Sequence, residues 1–217
     1  MSSGRASAPP ILLVAASGLA REAAVAARDG GLRVAGCLDD DPSLWGTEVA
    51  PGLPVLGGLD VLADQPDARL TICAGKGSGR ERLAARLEAL GVNRERFVTI
   101  VHPSVSVPDR DAVGAGSILL AGVVLTADVT IGEHVVCMPH VVLTHDCRVG
   151  SFATLCAAVV LGGRVVVGRG AYVGMAAAVR ESVTIGESAV VGMGAVVLSD
   201  VPAGETWAGL PARPIRG

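Results

Sequence analysis

The chain has 217 residues, of which half are apolar, 18% charged and only 2% aromatic, and its formal net charge is −3. Such hydrophobicity with so little net charge excludes general disorder, and the length suffices for one large domain or two small ones. An acidic balance with Lys76 as the single lysine lacks the clustered basic face of a nucleic-acid binder, and no apolar run approaches the length of a membrane span. The core must be built of small side chains in regular layers, because 29 glycines and many Val and Ala face so few aromatics.

Residues 1–10 are polar and end in Pro9-Pro10, and they are expected to form a disordered tail. From 11 to 101 short apolar runs alternate with helical patterns. Ile11 to Ala16 is of strand length, and Ser17-Gly18 leads into a helix over Leu19 to Arg28. Arg33 to Leu38 is a second strand, closed by the acidic run Asp39-Asp40-Asp41. Leu70 to Ala74 is a third, followed by Gly75-Lys76-Gly77 and an amphipathic helix from Arg80 to Leu90 ending at Gly91. Strands alternating with helices predict a small parallel, Rossmann-like α/β sheet, with ligands at the carboxyl ends of its strands. Those ends carry Ser17-Gly18, Asp39-Asp40 and Gly75-Lys76.

After His102-Pro103 the pattern changes. Stepping by six from Val107 to Val197 meets Val, Leu or Ile at fifteen of sixteen positions, the exception being Cys137. The following residue is often Gly, and the residue two earlier is Val, Ala or Cys in fourteen of the sixteen. This is a hexapeptide repeat, the signature of a parallel β-helix spanning 102–200. Three hexads close one triangular coil of 18 residues, so residues 18 apart stack, aliphatic on aliphatic. A coil cannot bury its own faces, so the ends need covers, and 201–217 is expected to be the C-terminal cap. The five cysteines, an odd number with no Cys-x-x-Cys pair, read as reduced, buried thiols of a cytoplasmic protein.

Only four histidines are present: His102, His134, His140 and His145. His145 falls at a turn of the repeat beside Asp146, an imidazole with a carboxylate that can orient it, as a general base requires. One coil above it is Gly163, expected to leave room for a ligand and to offer an N–H to an oxyanion. A solvated turn pair is the competing reading. His134 and His140 occupy equivalent turn positions and are expected to face solvent. His140 with His145 also admits a γ-class carbonic-anhydrase-like metal hydratase, although Ser104 stands where a third histidine is needed. A non-catalytic β-helix nucleotide-binding scaffold is a further alternative.

Several motifs in this order resemble the sugar O-acyltransferase family that includes the sialic acid O-acetyltransferases and the bacillosamine-type nucleotide-sugar N-acetyltransferases. They are Ala15-Ala16-Ser17-Gly18-Leu19-Ala20-Arg21-Glu22, Leu38-Asp39-Asp40-Asp41, His102-Pro103-Ser104, His145-Asp146-Cys147-Arg148-Val149-Gly150 and Gly209-Leu210-Pro211-Ala212-Arg213-Pro214-Ile215. The resemblance implies a left-handed β-helix, a homotrimer with intersubunit active sites, and acetyl-CoA as co-substrate with no metal. It further implies transfer to an amino or hydroxyl group of a nucleotide-linked sugar. By similarity His145 is the base and Asp146 its partner, with the stacked Gly163 N–H as the expected oxyanion donor. Acetyl-CoA contacts fall on Thr154, Gly163, Met175 and Met193. Nucleotide-sugar contacts fall on Ser17, Gly18, Leu19, Asp39, Asp40 and Gly75. The chain departs from many relatives at Ala15, Leu19, Met138, Thr144 and Thr154.

Overall fold

The computed structural model describes residues 9–215, so the greater part of the expected N-terminal tail lies outside the described residues. In the first domain, β1 (Ile11–Val14), β2 (Val34–Leu38), β3 (Glu48–Ala50), β4 (Leu53–Gly57) and β5 (Arg69–Ile72) form one sheet in the order β3-β4-β2-β1-β5. Every pairing is parallel except β3 with β4. Strands β3 and β4 add to the three read from sequence. Their signal is the alternation of buried Leu53 and Val55 with more accessible neighbours after the Pro51-Gly52 turn.

Helix α1 (Gly18–Asp29) presents Leu19, Ala20, Ala23, Ala24, Ala26 and Ala27 to the core, a stripe at helical spacing. Helix α2 (Gly77–Ala89) begins three residues earlier than expected, because Gly77-Ser78-Gly79 forms its first turn. A Cβ on Gly77 would run into the Phe152 carbonyl oxygen, so glycine is what lets α2 lie against the second domain.

That second domain begins at Ile100, slightly before the expected boundary. Ile100–Val101 pairs with Ile118–Leu119 and starts a ladder that continues through Val136–Cys137, Thr154–Leu155, Tyr172–Val173 and Val190–Val191. This is the first face of a parallel β-helix. The second face runs through Val124–Leu125, Val142–Leu143, Val160–Leu161, Ala178–Val179 and Val196–Val197. The third runs through Thr130–Ile131, Arg148–Val149, Val166–Val167 and Thr184–Ile185. Every pairing is between residues 18 apart, the spacing read from the sequence. The aliphatic residue of each hexad and the small one two places earlier fill a single core from Leu119 to Val201. Each such Val or Leu contributes about 1.5–3 kcal/mol of apolar burial.

The coils turn through residues in the left-handed region, among them Asp128, His140, Asp146, Phe152, Ala158 and Arg164, with φ between +56° and +63°. At the C-terminal end, Thr206–Gly209 pairs with Val190–Val191 and folds back on Ala212–Pro214. This hairpin covers the last coil, with Ala212 buried in its core.

Salt bridges and apolar contacts join the domains. Arg169 pairs with Glu81 of α2 at 2.7 Å, and its guanidinium lies 4.6 Å from the centre of the Phe152 ring. Arg94 pairs with Glu133. His102 bridges Asp29, at the end of α1, and Ser104.

Contrary to expectation, His134 is buried, at 4% exposure. Its ring stacks on Phe152 one coil above and meets the edge of Phe97 from the first domain. The domain contact covers this turn while leaving the equivalent His140 exposed. Burial, reinforced by the positive Arg80 and opposed by Glu133, pushes the His134 pKa down to about 4. The ring is therefore a neutral packing element at physiological pH.

Candidate active site

His145 and Asp146 sit at the corner between the second and third faces, both about half exposed. His145 Nδ1 lies 2.7 Å from an Asp146 carboxylate oxygen. An ionised carboxylate only accepts, so Nδ1 carries the proton and donates it, leaving the Nε2 lone pair free. The left-handed conformation of Asp146, φ +61°, is the one each corner imposes at this position, so the fold itself sets the adjacent pair. Gly163 stacks directly above. A Cβ there would collide with Nε2 and Cε1 of the imidazole, so the room that glycine was expected to leave for a ligand is filled by the ring of His145 itself. The Gly163 carbonyl accepts from Ser182 N–H, and its own N–H enters none of the inter-coil hydrogen bonds.

Gly163→Ala is accordingly expected to push the imidazole off its seat and reduce kcat by about 10²-fold, the scale of an ångström-sized misplacement. Thermal unfolding should move little, because the ring that the added methyl meets is half exposed and can swing into solvent. Steady-state kinetics beside a melting curve checks both.

A cleft of about 1290 Å³ lies between the first domain and the first face of the β-helix. Gly18, Leu19 and Gly75 line it, together with Arg21, Lys76 and Tyr172. Lys76 is the N-cap of α2 and makes no side-chain capping bond, so the helix opens toward the cleft with unpaired N–H groups. Glu22 also lines the cleft, and burial raises its pKa. Sequence reasoning missed Glu22, Tyr172 and Met138 as cleft residues. A strand or helix pattern tells which face a residue occupies, and only the packing of the two domains tells what that face meets.

Three expected nucleotide contacts are engaged elsewhere. Ser17 caps α1: its hydroxyl donates to Cys73 O at 2.6 Å and accepts from Ala20 N–H at 3.2 Å. Asp39 accepts from Ala16 N–H at 2.7 Å and from Asp41 N–H at 3.0 Å, which occupies both carboxylate oxygens with shaping the loops. Asp40 pairs with Arg86, whose hydrogen bond holds its pKa below the usual range, and it borders a separate hollow with Trp45.

The expected cofactor contacts also separate. Met175 and Met193, 49% and 72% exposed, lie 18 apart on the corner between the first and second faces. Thr154 is buried on the first face, its hydroxyl accepting from Arg80 at 2.9 Å. His145 is not among the cleft-lining residues, so one protomer presents its base and its cleft on different parts of the β-helix.

Ala15 opens the first loop with φ +85°. A side chain there costs about 1–2 kcal/mol, partly offset by the greater chain entropy that glycine loses on folding. Ala15→Gly is therefore expected to stabilise the protein by about 0.5 kcal/mol, and denaturant unfolding measures it.

All five cysteines are free and buried, and burial raises Cys37 and Cys137 to about 12. The hydratase alternative needs three converging ligands. Among the described residues no group of three His, Cys, Asp or Glu side chains could hold an ion: His134 is enclosed and His102 is tied to Asp29 and Ser104. No described helix is long and apolar enough to cross a membrane.

A hexapeptide β-helix with an imidazole–carboxylate pair at a corner and a Rossmann-like domain over one face defines a hexapeptide-repeat acyltransferase. No family model matches the chain. It is similar over its length to solved structures. A perosamine N-acetyltransferase variant of Caulobacter crescentus, in complex with CoA and GDP-perosamine, is 31% identical with a TM-score of 0.87, over 96% of this chain and 97% of that one. The acetyltransferase domain of PglB from Neisseria gonorrhoeae, in complex with acetyl coenzyme A, is 25% identical with a TM-score of 0.84, over 95% and 98%. Among curated proteins, the UDP-N-acetylbacillosamine N-acetyltransferase of Bacillus subtilis is 36% identical over 56 residues, 26% of this chain and 24% of that protein. The chain belongs to the nucleotide-sugar acetyltransferases of the perosamine and bacillosamine type, with their left-handed β-helix.

Proposed function

We propose that the protein transfers the acetyl group of acetyl-CoA to the amino group of a nucleotide-linked amino sugar, with His145 as general base. The observation that carries this is the His145–Asp146 pair at 2.7 Å, which fixes the proton on Nδ1 and leaves Nε2 basic. Nε2 accepts a proton from the sugar amine as the nitrogen attacks the thioester carbonyl. The imidazolium that forms is stabilised by Asp146. The Gly163 N–H receives the developing oxyanion. Collapse of the tetrahedral intermediate breaks the C–S bond, and the proton on Nε2 leaves with coenzyme A as its thiol.

The cations Arg21 and Lys76 and the open amino end of α2 give the cleft the character needed for a sugar-linked diphosphate. The Caulobacter relative is complexed with GDP-perosamine, and the N-acetyl products named for the relatives favour an amine over a hydroxyl acceptor.

The reaction needs His145 beside the cleft, and a second copy of the chain can bring it there. The outer residues of the second face are Val124, Val142, Val160, Ala178 and Val196, an apolar ladder, whereas the third face shows Thr130, Arg148, Val166 and Thr184. We assign the valine ladder to the contact between protomers of a homotrimer. Met175 and Met193 border it and are placed to meet the pantetheine arm. Buried free thiols together with these two substrates favour the cytoplasm.

The test is to incubate the protein with acetyl-CoA and a panel of nucleotide-linked amino and hydroxy sugars, and to follow acetylated product by mass spectrometry. Acetylation of an amino sugar, lost in His145→Ala, is the expected result. Turnover that survives His145→Ala removes the assigned base.

A further inference from the structure

Arg80 is fully buried in the joint between the domains. Its Nε donates to His134 O at 2.8 Å, and Nη1 donates to Ala74 O and Gly75 O, each at 3.0 Å. Nη2 donates to Phe152 O at 2.8 Å and to Ala153 O and Thr154 Oγ1, each at 2.9 Å. One guanidinium thus ties the loop after β5 to two successive coils of the β-helix. None of its partners is a carboxylate. Thr154 Oγ1 also lies 3.5 Å from Gly75 O, closing the contact between loop and rung.

This placement is costly in two ways. A charge is removed from water with only neutral acceptors around it. It also lies in the first turn of α2, at the positive end of the helix dipole, where a cation is disfavoured. An apolar side chain of similar volume could fill the joint without either cost, so packing alone does not account for arginine. Its distinctive capacity is the planar fan of donors, which holds several carbonyls in one geometry. Two of those carbonyls, Ala74 and Gly75, immediately precede the Lys76-Gly77-Ser78 segment that lines the cleft.

We infer that Arg80 is a positioning residue for the nucleotide-sugar subsite, clamping the Ala74–Gly75 turn to the Thr154 rung so that Lys76 and the open end of α2 face the substrate. The inference rests on the proposed acetyltransferase activity. It gives Thr154 a different part from the cofactor contact that family resemblance implies: its hydroxyl anchors the clamp. None of the hydrogen bonds of Arg80 goes to the corner of Met175 and Met193, the proposed acetyl-CoA contact, so the two substrates should respond differently to its removal.

Arg80→Lys keeps the charge and loses the fan. It is expected to raise KM for the nucleotide sugar by about tenfold or more while KM for acetyl-CoA stays within about twofold. Thr154→Val removes one anchor at nearly constant volume, and is expected to show the same split more weakly. A plain structural weld would lower the melting temperature without separating the two KM values, and an unsplit response overturns the inference. Should Arg80→Lys not fold, Thr154→Val decides: a rise in KM for acetyl-CoA alone makes Thr154 a cofactor contact and removes the clamp. Calorimetric titration of wild type and variants with GDP, UDP and dTDP separates this inference from the activity on which it rests. If the wild type binds one of them but acetylates no sugar, the activity reading fails alone. The variant to wild-type Kd ratio then still tests the clamp, about tenfold supporting it and unity overturning it. A wild type that binds none of the three overturns both.

Discussion

His145→Ala is expected to lower kcat by about 10²–10⁴-fold, the range ascribed to a positioned general base, with KM for acetyl-CoA little changed. The side chain is half exposed and, among the described residues, hydrogen-bonds only to Asp146, so the fold should tolerate the loss. Asp146→Asn should give a smaller defect. A neutral amide can still hydrogen-bond to Nδ1 but stabilises the imidazolium less, and it can present its NH₂ to the ring and select the wrong tautomer. Loss of kcat in both variants, with unchanged circular dichroism and melting, separates a chemical role from a solvated turn pair. Equal activity in wild type and His145→Ala would place the base elsewhere.

Val160→Arg is expected to abolish activity by a different route. Val160 stands at the middle of the apolar ladder on the second face and is 44% exposed in the protomer, so the coil should fold with arginine there. In a trimer closed through this face the guanidinium would be buried without a partner, at a cost of about 3–5 kcal/mol. That is about two to four powers of ten in association, enough to leave monomers at micromolar concentration. Light scattering should report one chain mass, and turnover should fall with it, because cleft and base no longer meet. A Val160→Arg protein that remains trimeric and active would move the contact off this face. As a control, Thr184→Arg on the third face should change neither.

The β-helix was legible because its rules are local and periodic. Val107 and every sixth residue after it must point inward, and the residue two places earlier must be small, so a register held from 107 to 197 predicts each rung before any contact is seen. The turn that carries His145 and Asp146 followed from that register. The first domain was harder to read. Strands β3 and β4 are short, and Gly77 and Gly79 resemble a turn until the close approach of α2 to Phe152 explains the need for glycine at 77. His134 was misjudged for a related reason: the repeat places it at an outward corner, and only the docked first domain, through Phe97 and Arg80, turns that corner into an interior.

The sequence by itself determined the 18-residue coil, the division near residue 100, the corner that carries His145 and Asp146, and the Rossmann-like character of the first domain. All of these depend on spacing along the chain, and spacing is what a periodic fold converts directly into position. The tertiary structure alone decided which polar side chains find partners inside the protein. Ser17, Asp39 and Thr154 look like ligand contacts in one dimension, yet their polar atoms are engaged by Cys73, Ala16 and Arg80, residues distant in sequence. Such a partner orients the group and takes up part of its hydrogen-bonding capacity before a substrate arrives. The fold brings those partners in from 23 to 74 residues away, beyond the range of any local pattern.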